Sequence, residues 1–281
     1  MFQKKSKGEI AMRISASRRD GKKKGGKAAD IITGILVAAC LTAAAGFGMQ
    51  LYSDMDRYAK VDRDNRKLVK EVVRTGRKRH GKPGYSRKAL ARHIDFARLK
   101  KINPDIIGWI YLPGTGIDNA VLKGHDNDEY LHHSYRGQYS FAGSIFMDTI
   151  CSSDFASDNT ILYGHNMKNG SMFAPVKKIA ENDEVKSHPY VYVYLPDGSM
   201  NVYATFSADR ISAESHLYAV NIDYHHQVAE ILDHAISRSD AETVAKAERE
   251  PGQLLMMSTC SAPHTPMRDV LFSRLDMKTG K

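Results

Sequence analysis

From Ile106 onward the chain is written in short apolar runs separated by turn residues, and that spacing narrows the folds open to it. The runs are 108–112, 117–122, 143–147, 160–163, 190–195, 200–211, 254–259 and 270–275. Pro113-Gly114 and Asp197-Gly198 supply turn chemistry between them. About eight strands at this spacing predict a mainly β domain, either a closed barrel or a sandwich. Helical patterning interrupts the series at 171–181 and at 224–237, where Val228, Ile231, Leu232, Ala235 and Ile236 mark one face. The second helix lies in a long excursion between two strands, a position that often builds one wall of a binding groove.

Upstream of the strands the composition changes sharply. Residues 1–101 carry 27 Lys+Arg against 9 Asp+Glu, whereas the remaining 180 residues carry 14 against 23. The formal charge of +9 is therefore an average over a basic arm and an acidic folded part. A nucleic-acid binder needs its basic residues on the folded part, so that class is excluded. The arm is explained by a membrane. From residue 28 to 51 nearly every residue is apolar or small, and the only charge is Asp30 at the edge. That length matches the hydrocarbon core, which takes about 20 residues.

Seven basic residues precede this span between Arg13 and Lys27, while residues 52–66 hold Arg57, Lys60, Arg63 and Arg66 offset by four aspartates. The positive-inside rule then puts the N-terminus in the cytoplasm and everything past residue 51 outside, as a single-pass protein of the cell membrane. A cleaved signal peptide is the rival reading, with Ala43-Ala44-Ala45 as a small-residue site, but the apolar stretch exceeds the usual h-region. The expected organisation is a basic tail over 1–27, a signal-anchor helix over 28–51, a helical stalk and N-terminal helices over 52–101, and a β-barrel domain over 102–281. Within the stalk a helix is expected to about residue 80 and another from about 86 to 101, broken at Gly81-Lys82-Pro83-Gly84.

The chemistry-bearing residues stand at strand ends. Leu254-Leu255-Met256-Met257-Ser258-Thr259 is an apolar run that ends on Cys260. Arg268 opens the next run, and Ile161-Leu162-Tyr163-Gly164 ends on His165. Cys40 falls in the membrane span, which leaves Cys151 and Cys260 outside, too few for a disulfide-stapled domain. A single Cys151–Cys260 bridge is the competing use of those two. A thiol is a useful nucleophile only as thiolate and needs a cation or base beside it. Histidine supplies that and later returns a proton to a leaving amine. An arginine, always charged, stabilises the oxyanion of a tetrahedral intermediate. These three side chains suffice for acyl transfer from an amide.

Leu-Tyr-Gly-His-Asn-Met at 162–167, Leu-Met-Met-Ser-Thr-Cys at 255–260 and the Arg268-x-Val-Leu strand occur in that order. Asn103-Pro104-Asp105-Ile106-Ile107-Gly108-Trp109-Ile110, Gly124-His125-Asp126-Asn127 with Tyr130-Leu131, and Gly143-Ser144-Ile145-Phe146-Met147-Asp148 accompany them. In these motifs, over roughly residues 90–277, the chain resembles the sortases. The N-terminal helices and the helical excursion before the cysteine strand are similar to class B.

The resemblance implies a closed eight-stranded β-barrel with N-terminal helices and a helix inserted before the cysteine strand. It implies a cysteine transpeptidase of Gram-positive-type cells with Cys260 as nucleophile, His165 as general acid and Arg268 as oxyanion or substrate-positioning residue. The substrate groove would be lined by Ser258, Thr259 and Leu122, with Ser261 beside the cysteine and Tyr224 opening the helix that covers the motif. The implied partners are surface proteins with a C-terminal sorting motif and a peptidoglycan-precursor amine. No metal or organic cofactor is implied. A pilin polymerase using a lysine acceptor and a non-catalytic wall-binding barrel are the alternatives. Asn119-Ala120 replaces the family's frequent Tyr-Pro pair, which leaves the sorting motif open.

Other signals have plainer readings. Gly21 to Ala28 nearly spells a phosphate-binding loop but ends in Ala28 instead of Ser or Thr. Leu112-Pro113-Gly114-Thr115-Gly116 matches a sorting signal, yet a folded domain follows it instead of an apolar tail. The remaining histidines come without metal-ligand spacing. His264 is a rival base to His165, and Arg274 a rival to Arg268.

Overall fold

A computed structural model describes residues 27–76, 79–260 and 265–280. By contact density the chain divides into residues 1–56 and 57–281. In the first unit the helix α1, Lys27–Val72, begins. Its apolar side chains from Ile31 to Leu51 are exposed, and the helix is long and apolar enough to cross a membrane.

The second unit carries the end of α1 and everything after it. The expected stalk helix stops at Val72 rather than near residue 80. The chain turns into β1 (Val73–Thr75), which pairs antiparallel with β2 (Arg92–Ile94). Among the described residues between these strands the one helix is the short α2 (Arg87–Leu90), capped by the Ser86 hydroxyl. The helix expected over 86–101 is thus split. Its second part is α3 (Phe96–Ile102), where the Asp95 carboxylate accepts the Arg98 N–H and starts a new helix.

The barrel is built from β3 (Ile106–Tyr111), β4 (Asp118–Leu122), β5 (Ile145–Met147), β6 (Asn159–Tyr163), β7 (Tyr190–Tyr194), β8 (Met200–Ser212), β10 (Leu254–Cys260) and β11 (Met267–Thr279). Their order is β11-β10-β6-β5-β4-β3-β7-β8, and β11 pairs back onto β8, which closes the ring at eight strands. A two-residue strand, β9 (Ser237–Arg238), hangs on the outside of β8. All eight apolar runs seen in the sequence are barrel strands. Helix α4 (Ala174–Glu181) follows β6, and α5 (Tyr224–His234) and α6 (Ala241–Arg249) fill the excursion between β8 and β10.

Period-two alternation divides the barrel strands between two cores. Ile110, Val121, Val191 and Val193 face the barrel interior with Ile161, Phe206 and Phe272. Trp109, Ala120, Leu122, Tyr192 and Tyr194 face outward and are covered by Leu68 and Val72 of α1, Leu90 of α2, and Phe96 and Leu99 of α3. Both faces of these strands are buried, which is why they read as continuous apolar runs. Each fully buried Leu, Val or Phe contributes about 1.5–3 kcal/mol. One buried ion pair ties the outer layer to the barrel. Arg92 donates to both Asp118 oxygens at 2.6 and 2.8 Å, its guanidinium lies 4.1 Å from the Tyr111 ring centre, and Asp118 also accepts from Trp109 Nε1 at 2.7 Å.

Candidate active site

Three strand ends meet at one edge of the barrel. β10 runs parallel to β6 with Leu254 opposite Asn159 and Ser258 opposite Tyr163. One step on, Gly164 donates its N–H to the Ser258 carbonyl at 3.2 Å. On the other flank β10 is antiparallel to β11, with Cys260 directly opposite Arg268. The backbone thus sets positions 260 and 268 opposite each other on adjacent strands, and position 165 two residues past the end of β6. The side chain of Cys260, together with Ser261 and His264, lies outside the described residues.

The same register separates the competitors. Arg274 pairs with Leu254 at the far end of β10, roughly 20 Å of strand from position 260, and its Nε donates to the Glu250 carbonyl. Cys151 is a free, buried thiol rather than half of a bridge. It packs on β6, where the Ile161 N–H donates to its sulfur at 3.4 Å, and Ile161 is the partner of Met256, four residues short of position 260. Burial pushes the Cys151 thiol up to about 11. A buried, uncharged thiol of this kind is a packing residue.

His165 is held by its main chain and its ring. Its carbonyl accepts the Phe173 N–H at 3.0 Å, and Asn166 bridges to Met172, so residues 166–172 form a short returning loop. Its Nε2 lies 2.8 Å from the Leu131 carbonyl. A carbonyl only accepts, so the proton sits on Nε2 and Nδ1 is the nitrogen left for exchange. Burial lowers the His165 pKa from its ordinary 6.5; the Leu131 carbonyl opposes that, and the neighbouring His132 ring, 6.2 Å away, adds to it.

Leu131 is fixed in turn. Ser144 N–H donates to Tyr130 O at 2.9 Å, and Tyr130 OH donates to Asp105 at 2.6 Å while accepting from Asn103 at 2.9 Å. Gly143, at φ +56°, presses against this segment. A Cβ there would lie 2.5 Å from the Leu131 oxygen and 2.7 Å from that of Tyr130.

Ser258 and Thr259 are buried. Ser258 Oγ hydrogen-bonds Tyr218 OH at 2.7 Å, and Tyr218 stacks on Tyr163. Tyr163 OH donates to Asp148 at 2.8 Å, and Asn127 Nδ2 donates to the same oxygen at 3.1 Å. Arg268 Nη1 donates to the Thr265 and Met267 carbonyls, which folds the guanidinium back on its own loop. Tyr224 opens α5, and its hydroxyl donates to Ala247 O at 2.8 Å, which clasps α5 to α6. Burial raises its pKa to about 12.

Leu122 is not at this edge. It is wholly buried in the outer core with Trp109, Tyr130 and Phe146. The leucine that reaches the histidine is Leu131, and it does so through its backbone. Sequence reading quoted Tyr130-Leu131 without giving it a role, because a carbonyl contact leaves no mark in residue type. The Asn127–Asp148–Tyr163 network was likewise spread over three quoted motifs. Among the described residues no group of three or more His, Cys, Asp or Glu side chains is placed to hold a metal.

The family model described as the sortase domain matches residues 110–276, more than half of the chain. The chain belongs to the sortase family. Sortase B of Listeria monocytogenes is 47% identical over 91 residues, which span 32% of this chain and only 37% of that protein. Sortase B of Staphylococcus aureus is 28% identical over 169 residues, 59% of this chain and 67% of that one. Among solved structures, sortase B of Bacillus anthracis superposes with a TM-score of 0.62 at 25% identity, covering 79% of this chain and 98% of its own. These relatives are named sortase B, and the chain is similar to them within the sortase family.

Proposed function

We propose that this sortase is a membrane-anchored cysteine transpeptidase that cleaves a C-terminal sorting motif after its threonine and passes the surface protein to an amine of the cell wall. The observation that supports the reading is the strand register, which sets Cys260 opposite Arg268 and sets Ser258 opposite Tyr163, two residues before His165. The apolar helix over the first unit supports an anchor with the N-terminus inside and the barrel outside.

The chemistry follows from the residues. The Cys260 thiolate attacks the threonine carbonyl carbon. Arg268 leaves its loop carbonyls to meet the developing oxyanion, which exchanges two neutral acceptors for a charged one. The C–N bond breaks as His165, protonated at Nδ1, gives its proton to the leaving amine. A thioester joins the surface protein to Cys260. An incoming amine attacks that thioester, loses a proton to His165 and expels the thiolate. Ser258, Thr259, Ser261 and Tyr224 are proposed to border the motif. Leu122, which packs in the outer core with Trp109 and Tyr130, would act only by supporting the wall from behind.

The test is mass spectrometry of the full-length protein in detergent after incubation with a set of sorting-motif peptides. An adduct on Cys260 of the acyl fragment ending in threonine is expected, and it should vanish in C260A. Cleavage retained by C260A would sink the assignment. Offering a pilin lysine against a wall-precursor amine then identifies the acceptor.

A further inference from the structure

A line of buried polar groups crosses the strands that carry Cys260 and Arg268, and none of the steps above uses it. Side chains alternate along a strand, so Thr259 and Asp269 turn away from the face on which Ser258 meets Tyr218. The two are direct cross-strand partners, and Asp269 in turn stands opposite Arg210 of β8. The Asp269 side chain has no solvent exposure, and its Oδ1 accepts from Arg210 Nε at 2.8 Å. Arg210 Nη2 donates at 2.7 Å to Glu181 at the end of α4, and Glu181 also accepts from Lys177. The line is therefore neutral, with Lys177 and Arg210 against Glu181 and Asp269. Asp209 lies outside it, opposite Val270.

Two atoms in the line are left over. Thr259 Oγ1 and Asp269 Oδ2 are both buried, and neither has a hydrogen-bond partner. A buried polar atom without a partner is costly. Direct cross-strand neighbours hold their Cβ atoms about 4.5–5.5 Å apart. A turn of the Thr259 hydroxyl toward Oδ2 satisfies both, a donor meeting a carboxylate.

Helix α4 extends the reach of this line to the histidine. Its first residue, Ala174, follows Phe173, whose N–H donates to the His165 carbonyl and whose buried ring packs on Gly164. Its buried residues Val176, Ile179 and Ala180 share a core with Met257 of β10 and Leu271 of β11, which pair two residues away from Thr259 and Asp269. Its last residue is Glu181. One end of the helix thus adjoins the loop of His165, and the other is tied through Arg210 to the strands of Cys260 and Arg268.

We infer that Asp269 and Arg210 are positioning residues: the line from Glu181 through Arg210 and Asp269 to Thr259 brackets His165 against Cys260 and Arg268 by way of α4. This deepens the proposed function and rests on it. None of the four side chains touches the substrate in this role, and Thr259 borders the motif by its main chain.

The test uses the full chain in detergent, a sorting-motif peptide, and iodoacetamide as a probe of Cys260, with alkylation followed at that residue by mass spectrometry. In D269N, kcat should fall by about tenfold or more with KM little changed, because small misplacements of reacting groups are costly. The pH midpoint of Cys260 alkylation should rise by about one unit as the imidazolium draws away from the thiolate. Apolar replacement of a buried ion pair often preserves stability, so R210M/D269L should melt near the parent yet show both changes. A purely structural pair would not give that combination. R92A breaks the ion pair of the outer layer; it should lower the melting temperature and leave both readouts alone. T259V should also be slow, T259S should recover the rate, and T259V should add nothing to D269N. Parental kcat and a parental alkylation midpoint in R210M/D269L would overturn the proposal, as would losses in R92A that match those of D269N. If the parent forms no acyl adduct, the transpeptidase reading fails, and the alkylation midpoints alone decide the bracket.

Discussion

At the residue scale the site depends on one carbonyl and the glycine that lets it in. Gly143 allows the Tyr130-Leu131 backbone to pass where a Cβ would sit within 2.7 Å of two oxygens. G143A must move the Leu131 carbonyl or strain its own φ of +56°, at a cost of about 1–3 kcal/mol. Both the melting temperature and kcat of G143A should fall, with kcat falling further than G164A would predict. In G164A the new Cβ meets the Phe173 ring instead of backbone, and a ring can shift.

The pH profile carries a second residue-scale prediction. Burial depresses the His165 pKa below 6.5. Histidine and thiol titrate as a pair whose lower apparent pKa marks the acid limb of kcat/KM. That limb should therefore lie below pH 6.5. H132A should move it upward, because His132 contributes to the depression. An unmoved limb in H132A would argue against the coupling.

At the element scale the outer layer is held by a charge in a dry place. Arg92 is almost fully buried, and Asp118 is largely covered. Removing one member of such a pair leaves the other uncompensated, which costs about 3 kcal/mol. R92A should lower the denaturation midpoint by an amount of that order, and R92K should recover only part of it, since an ammonium lacks the planar guanidinium that lies over the Tyr111 ring. This scale also shows where sequence and structure part company. Strands with both faces buried announce themselves as apolar runs, and all eight were legible. Helix α6 was not. Only Ala247 of it is buried, so it has almost no apolar stripe, and its signals are the Asp240 cap and the Pro251-Gly252 stop. The stalk was misjudged for the opposite reason. Residues 86–101 have helical composition, but pairing of Arg92–Ile94 with Val73–Thr75 overrides that propensity.

At the scale of the whole molecule, Asp276 gathers two distant stretches of chain, 82–85 and α6. Lys246 of α6 donates to it at 2.5 Å, Lys82 at 3.0 Å, and the Tyr85 hydroxyl closes the set. Burial opposes its charge, but hydrogen bonds from Lys246, Tyr85 and Lys82 outweigh that and hold the carboxyl at about 2, against an ordinary 3.8. The folded pKa is the lower one, so the stabilisation is fully present above pH 3.8 and disappears as pH falls through about 2. D276N should be less stable than the parent at pH 7, by about 1–2 kcal/mol, and the difference should shrink in acid denaturation series run down to pH 2. A constant difference across that range would rule out the linkage.

The pairing of β6 with β10 is made by main-chain groups alone, and it does not depend on which side chains lie between Gly164 and Leu254. That stretch holds α4, α5 and α6, and also β7 and β8, two of the ring's own strands. The fold thus separates what is reacted from how it is reacted. The parts that lie between ring strands, α4 over 174–181 and α5 with α6 over 213–253, are where such a barrel can change while the register of β6 with β10 is kept.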